Sequence, residues 1–214
     1  MKTAVIVCDG QFPRTEYPLY LLRSADLVLC CDGALGALEK RSIVPDAVIG
    51  DMDSVCSRAL KRFPGKVVKI EDQQTNDLTK AFSWLMDNCP EDLGEIHILA
   101  ATGRREDHTL GNLALLMDYQ SRYSLEARGI RLDMVSDYST ALALGDSATL
   151  DVGEGRGVSI FSPDPTLRIH SDGLRWATDA VTFTNWWQAT LNEALTDRIR
   201  LTLSHPAPVL IILS

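Results

Sequence analysis

The feature that most constrains the fold is an alternation that runs from the N-terminus to about residue 135. Short runs rich in β-branched and aliphatic residues take turns with longer stretches of helical apolar spacing. Residues 3–8, 27–31, 47–49, 66–70, 95–100 and 131–135 have strand length and composition. Between them, 18–24, 34–41, 55–62, 77–88 and 108–123 read as helices. Such alternation builds βα units around a parallel sheet. In the last helix Leu110, Leu113, Ala114 and Met117 recur at helical spacing, so they are expected to face the sheet.

After Asp137 the pattern changes. Strand-like runs at 148–152, 157–161, 167–170, 180–184, 198–203 and 209–213 follow one another with no strong helix between them. Residues 153–157, 163–165 and 171–173 read as turns, the first of them as a hairpin turn. The expected organisation is an α/β domain over 1–137 and an antiparallel β domain over 138–214.

Charge and cysteine usage narrow the function classes. With 21 Lys and Arg against 29 Asp and Glu, the formal charge is −8, which argues against sequence-independent nucleic-acid binding. A phosphate ligand brought in with Mg²⁺ remains compatible. No apolar stretch reaches the length of a membrane span. The one near the N-terminus, residues 4–8, stops at Asp9, so no targeting segment is expected. Five cysteines (Cys8, Cys30, Cys31, Cys56 and Cys89) are odd in number and form no C-x-x-C, so buried thiols in a reducing cytoplasm are expected.

The informative residues follow the strands. The runs end at Asp9-Gly10, Asp32-Gly33, Gly50-Asp51-Met52-Asp53-Ser54, a segment from Glu71 to Asp77, and a segment from Thr102 to His108. In an open parallel sheet these loops share one edge, outside the carboxyl ends of the strands, where ligands bind. Asp51 and Asp53 sit at alternate positions of an extended segment, so both carboxylates can reach one ion, and hard oxygen ligands beside phosphate suit Mg²⁺. A turn with an N-cap would use the same residues. Asp32-Gly33 fits either a tight turn or an anion site at a helix start. Thr75, Asn76 or Asp77 can cap the next helix, and Lys80, one turn on, can pair with Asp77 or reach a phosphate. Arg104, Arg105, Asp107, His108 and Asn112 precede and enter an apolar helix, where arginine can fork onto phosphate or carboxylate. His97, His170 and His205 show no metal-ligand spacing and read as packing residues. In the β domain, Trp176 can be core or can stack on a flat ring.

In order and spacing the chain resembles the thiamine pyrophosphokinase family. That family's pattern has a D-G turn, G-D-[MF]-D-S, a D-Q-x-x-T-D-like segment, T-G-G-R-x-D-H-T-L-x-N, G-L-x-W and a G-T-S-N-E-like turn. Here the corresponding residues are Asp32-Gly33, 50–54, 72–80, 102–112, 173–176 and 189–193. Arg104 replaces the second glycine, Asn76 a threonine and Leu191 a serine. The resemblance implies a Rossmann-like α/β domain joined to a β-sandwich, in a cytoplasmic homodimer with composite sites. It implies transfer of the pyrophosphoryl group of ATP to the hydroxyl of thiamine, giving thiamine diphosphate and AMP. It further implies Asp32, Asp51, Asp53 and Asp77 as Mg²⁺ carboxylates, with Asp51, Asp53, Asp77 and Asp107 catalytic. Gly33, Ser54, Asn76, Lys80, Thr102 and Arg105 would serve ATP; Gln73, Asp107, His108, Trp176, Leu191 and Asn192 would serve thiamine. Another Mg²⁺-dependent D-x-D nucleotide transferase, or a nucleotide sensor without catalysis, are the alternatives.

Overall fold

A computed structural model describes residues 1–53, 66–88 and 90–214. The expected helix at 55–62, Ser54, Cys56 and Cys89 lie outside those residues. By internal contacts the chain divides into two units, residues 1–115 with 126–137, and residues 116–125 with 138–214.

The first unit is built on six strands: β1 (Lys2–Val7), β2 (Leu27–Cys31), β3 (Ala47–Gly50), β4 (Val67–Lys69), β5 (Leu93–Leu99) and β6 (Arg131–Val135). Every pairing among them is parallel, in the order β6-β5-β1-β2-β3-β4. Residues 4–7 of β1 and all of β3 are buried, as strands covered on both faces must be, and this explains their unbroken apolar runs. Helices α1 (Glu16–Ser24), α2 (Leu35–Glu39), α3 (Asp77–Asn88) and the start of α4 (Glu106–Arg122) belong to the connections. The direction of winding reverses between β1 and β5, which makes their carboxyl ends the switch point where open α/β sheets bind ligands.

One helix face differs from the sequence expectation. Leu110 is exposed and Ala114 is exposed, whereas Asn112, Leu116 and Tyr119 are buried. The buried stripe begins with a polar residue because the Asn112 amide donates to the Ala101 carbonyl at 2.8 Å. Apolar spacing alone could not rank that stripe above its neighbour.

The second unit is an antiparallel sandwich. Its strands are β7 (Thr140–Leu144), β8 (Ala148–Asp151), β9 (Gly157–Phe161), β10 (Ile169–Asp172), β11 (Ala189–Glu193), β12 (Arg198–Leu203) and β13 (Val209–Leu213). One sheet runs β11-β9-β13-β7 and the other β10-β12-β8, and Val158, Ile160, Ile199, Leu201, Val209 and Ile211 from the two share one core. Three expectations are corrected. Residues 180–184 form no strand, while β7 and β11 had not been anticipated. Residues 153–157 are not a hairpin turn, because β8 pairs with β12 and β9 pairs with β13 and β11; they carry the chain from one sheet to the other. Cys8, Cys30 and Cys31 are free and buried, as expected for thiols.

His97, His170 and His205 each pair with a carboxylate, but only His97 is a buried packing group; His170 is exposed and His205 half-buried, contrary to expectation. His97 on β5 faces its cross-strand neighbour Asp133 on β6, with Nδ1 and Oδ1 2.7 Å apart. Its Nε2 is buried without a hydrogen bond, and the Glu95 carboxylate is 3.6 Å away. Burial pulls the imidazole pKa down, but the Asp133 hydrogen bond and charge, aided by Glu95 and opposed by Arg131, leave it raised. A histidine pKa raised by folding stabilises fully below the unfolded value of about 6.5, and that contribution disappears as pH climbs through the folded value. Asp133→Ala is therefore expected to cost about 1–3 kcal/mol in urea unfolding at pH 6, because it leaves the buried Nδ1 without its partner and the imidazole sheds its proton. The wild-type protein should lose stability between about pH 6.5 and the folded pKa, and the variant should lose less over that interval. Equal pH slopes would show that the pair does not titrate with folding.

Candidate active site

The loops after β1, β2 and β5, with the start of α3, line a cleft of about 370 Å³. The loop after β3 supplies the acidic wall beside it. Asp32, which directly follows β2, is 2% exposed. Its Oδ1 accepts from the Gly33 amide at 2.6 Å and its Oδ2 from the Met52 amide at 2.9 Å. That second bond requires the carboxylate to lie across Gly50: a Cβ there would meet Asp32 Cγ at 2.5 Å, so the glycine before the two acids is a packing necessity. Met52 adopts φ 70°, a left-handed conformation uncommon for a side chain of its size. This turn directs its amide to Asp32.

Oxygen atoms of Asp32, Asp51 and Asp53 all lie within 4.8 Å of one another. Burial first, then the charge of Asp77, raise the Asp32 pKa against the lowering effect of the two amide bonds. The Asp53 amide, more than any other group, lowers the pKa of Asp51, and Gln73 donates to its second oxygen at 3.3 Å. Three convergent carboxylates, one of them resisting ionisation, form a donor set suited to a hard divalent cation. Asp77 is not in that trio. It lines the cleft and accepts from Lys80 Nζ at 3.0 Å, while Lys80 is 3.9 Å from Asp51. Burial acts to lower the Lys80 pKa, but the bond and charge of Asp77, then Asp51 and Asp32, outweigh it and leave a raised, positively charged ammonium under the acids.

Asn76 takes the capping role. Its Oδ1 accepts from the Thr79 amide at 2.9 Å, and its Nδ2 donates to Asn112 Oδ1 at 3.0 Å. The α3 start is thereby tied to α4. Thr102 lines the cleft while its carbonyl accepts from the Gln11 amide at 2.7 Å. Gly103 follows at φ 88°, and a Cβ there would meet the Gln11 side chain at 2.7 Å. Arg105 grips Asp107 in a two-point contact, Nε to Oδ1 at 3.1 Å and Nη2 to Oδ2 at 2.5 Å. That bond, with the His108 amide, holds Asp107 down to about 2. His108 lines the same cleft.

In the second unit Trp176, Leu191 and Asn192 border a hollow of about 170 Å³. Trp176 is 57% exposed and so is not core. The buried Asn192 is spent on local structure: Oδ1 accepts from the Trp176 amide at 3.1 Å and the Glu193 amide at 2.9 Å, and Nδ2 donates to the Trp176 carbonyl at 2.6 Å. Asn192 thus sets the Trp176 backbone. Leu191 stands at φ 61° with its side chain in solvent.

The sequence reading gave no site role to Asp9, which lines the cleft and pairs with Arg104 at 2.7 Å. The signal was available: Asp9-Gly10 follows β1 just as Asp32-Gly33 follows β2. The Asn112 link was hidden because both of its partners lie in other segments.

Comparison with known proteins agrees with this layout. The thiamin pyrophosphokinase catalytic-domain model matches residues 19–126, and the substrate-binding-domain model of the same family matches residues 142–207. Thiamine pyrophosphokinase 1 of Oryza sativa subsp. japonica is 26% identical over 204 residues, covering 82% of this chain and 74% of the rice protein. The thiamine pyrophosphokinase of Bacillus subtilis (strain 168) is 30% identical over 122 residues, 54% of this chain and 55% of the Bacillus protein. The crystal structure of thiamine pyrophosphokinase from Bacillus subtilis superposes with a TM-score of 0.78 at 20% identity, covering 100% of this chain and 99% of that one, which is a likeness of fold. The two domain matches span most of the sequence: the chain belongs to the thiamin pyrophosphokinase family, and is by that membership a thiamine diphosphokinase.

Proposed function

We propose that residues 1–137 bind ATP and Mg²⁺ and carry out the transfer, and that residues 138–214 bind thiamine and form the contact between two copies of the chain. The observation that carries the first half is the convergence of Asp32, Asp51 and Asp53 beside a cleft at the strand switch point. These three would hold Mg²⁺, which supplies charge neutralisation to the phosphates. Asp77, with Lys80 on it, is the fourth acid of the set, and Gly33, Ser54, Asn76 and Thr102 complete the nucleotide side.

The thiamine hydroxyl oxygen forms a bond to the β-phosphorus as the bond from that phosphorus to the bridging oxygen of the α-phosphate breaks, and AMP departs with the electron pair. Alignment and electrostatics do most of this work, and no covalent enzyme intermediate is needed. Of the two carboxylates open to the hydroxyl proton, Asp77 lines the cleft, whereas Asp107 is taken up in its two-point contact with Arg105. The step is therefore assigned to Asp77. Asp107 and His108 face the thiamine, and Arg105, anchored by Asp107, contributes to the phosphates. Gln73, bonded to Asp51, couples the substrate side to the metal acids.

For the second half, support comes from exposed aromatic surface. Trp176, Trp186, Trp187, Leu191 and Leu195 are all exposed in the second unit, an apolar display that favours a ring ligand and a second copy. Trp176 is the stacking face, and Asn192 and Leu191 shape it. Buried free thiols at Cys8, Cys30 and Cys31 accord with a reducing, cytoplasmic setting, and no described helix is long and apolar enough to cross a membrane.

Thiamine-dependent release of AMP from ATP is the direct assay, and a nucleotide sensor would show none. Asp51→Asn and Asp53→Asn are expected to lower kcat by more than about 100-fold, beyond the usual effect of losing an outer-shell partner, with Tm unchanged. Near-normal turnover in both would remove the metal assignment. Mixing Asp53→Asn subunits with Trp176→Ala subunits should recover activity that neither shows alone, since one composite site per mixed dimer is intact. Full activity in a monomer, or no recovery after subunit exchange, would count against shared sites.

A further inference from the structure

We propose that Arg104 is a nucleotide-phosphate fork in this chain, held ready by Asp9. The inference rests on the reading of the cleft as an ATP site and adds to it a residue that stands where the family pattern has glycine.

Arg104 lines the cleft with its side chain 56% exposed. Only one of its nitrogens is committed: Nη1 donates to the Asp9 carbonyl at 3.0 Å and to Asp9 Oδ1 at 2.7 Å. A guanidinium has five N–H donors, and the edge formed by Nε and Nη2 matches two oxygens of one phosphate. In Arg104 that edge has no partner among the described residues. In Arg105 the same edge is filled by Asp107. The ammonium of Lys80 is buried against Asp77 and Asp51. Among the described arginine and lysine side chains of the site, Arg104 is therefore the one whose bidentate edge is open.

The backbone that carries it is braced. Amides of Gly10 and Gln11 donate to the carbonyls of Ala100 at 2.6 Å and Thr102 at 2.7 Å, stitching the loop after β1 to the loop after β5 just ahead of Arg104. The Asp9 carboxylate lies over Gly33, where a Cβ would stand 3.1 Å from its Oδ2, so the glycine leaves room for it. One carboxylate thus lies beside the loop after β2 and pins the guanidinium of the loop after β5. The ordering cost of a long side chain is met before the nucleotide arrives. The cleft also has a chemical need for such a group: Asp9, Asp32 and Asp77 all line it, so a polyphosphate entering with one metal ion still meets excess negative charge.

The test is calorimetric binding of β,γ-imido ATP with Mg²⁺, alongside steady-state kinetics. Arg104→Gln should weaken binding of the analogue about 10- to 100-fold and raise the ATP KM in step, with thiamine KM and Tm unchanged. Arg104→Lys should recover only part of the loss, because a point charge lacks the fork. Asp9→Ala should weaken binding in the wild-type background and add nothing when Arg104 is already Gln, the signature of a positioning residue. Analogue affinity within twofold of wild type in Arg104→Gln, with thiamine diphosphate still formed by the wild type, would overturn the fork and leave the function standing. A wild type that forms no thiamine diphosphate yet binds the analogue through Arg104 would overturn the function and leave the fork. Absence of both overturns both.

Discussion

A carboxylate kept almost out of water at the end of β2 organises the candidate site. Asp32 lies across Gly50, accepts the Gly33 and Met52 amides, and thereby sets the path of the loop that presents Asp51 and Asp53. Its burial, with the charge of Asp77, works against its own ionisation. A group whose acid pKa is raised by folding makes the folded state less favoured once it ionises, so its charged form at neutral pH is a cost to the fold. A divalent cation shared with Asp51 and Asp53 would reverse that cost, because the ionised form would then have a partner. Nearby, Lys80 supplies a fixed positive charge to Asp77 and Asp51.

The fold places this chemistry through the parallel sheet. Strands buried on both faces leave the loops at their carboxyl ends as the polar surface, and the winding reverses between β1 and β5, beside the cleft. The remaining contacts fix the loops to one another: Asn76 to Asn112, Asn112 to Ala101, Gly10 to Ala100 and Gln11 to Thr102. Phosphoryl-type transfer depends on alignment, and these short bonds between loops provide a rigid frame for it. The catalytic-domain and substrate-binding-domain models of the family match the chain in turn, at residues 19–126 and 142–207.

Much of the first unit was legible because β1, β2 and β3 are apolar runs followed by Asp-Gly or Gly-Asp, and α3 spans 77–88 as read, with Asn76 taking the cap that the sequence left open among Thr75, Asn76 and Asp77. The pair Asp51 and Asp53 was legible from i, i+2 spacing after a strand, whereas Asp32, the third acid beside them, entered as a metal carboxylate only through the family resemblance. The β sandwich was harder. β11 reads A-T-L-N-E and contains a buried asparagine, so its pairing with β9 comes from tertiary contacts rather than from composition. Residues 180–184 have β-rich composition yet join no ladder. In α4 two apolar stripes compete, and the one that wins begins at Asn112, whose amide a distant carbonyl requires. Trp176 could be core or surface by composition, and only its exposure separates the two.

The claim at the centre of this account is that Asp32, Asp51 and Asp53 hold one divalent cation for the nucleotide. Paramagnetic Mn²⁺, added to the isotopically labelled protein with β,γ-imido ATP, tests it most directly by amide NMR. The account predicts that the Gly33, Met52 and Asp53 signals broaden first, and that Asp32→Asn removes the effect while leaving the rest of the spectrum in place. Broadening centred elsewhere, or undiminished in Asp32→Asn, would contradict it.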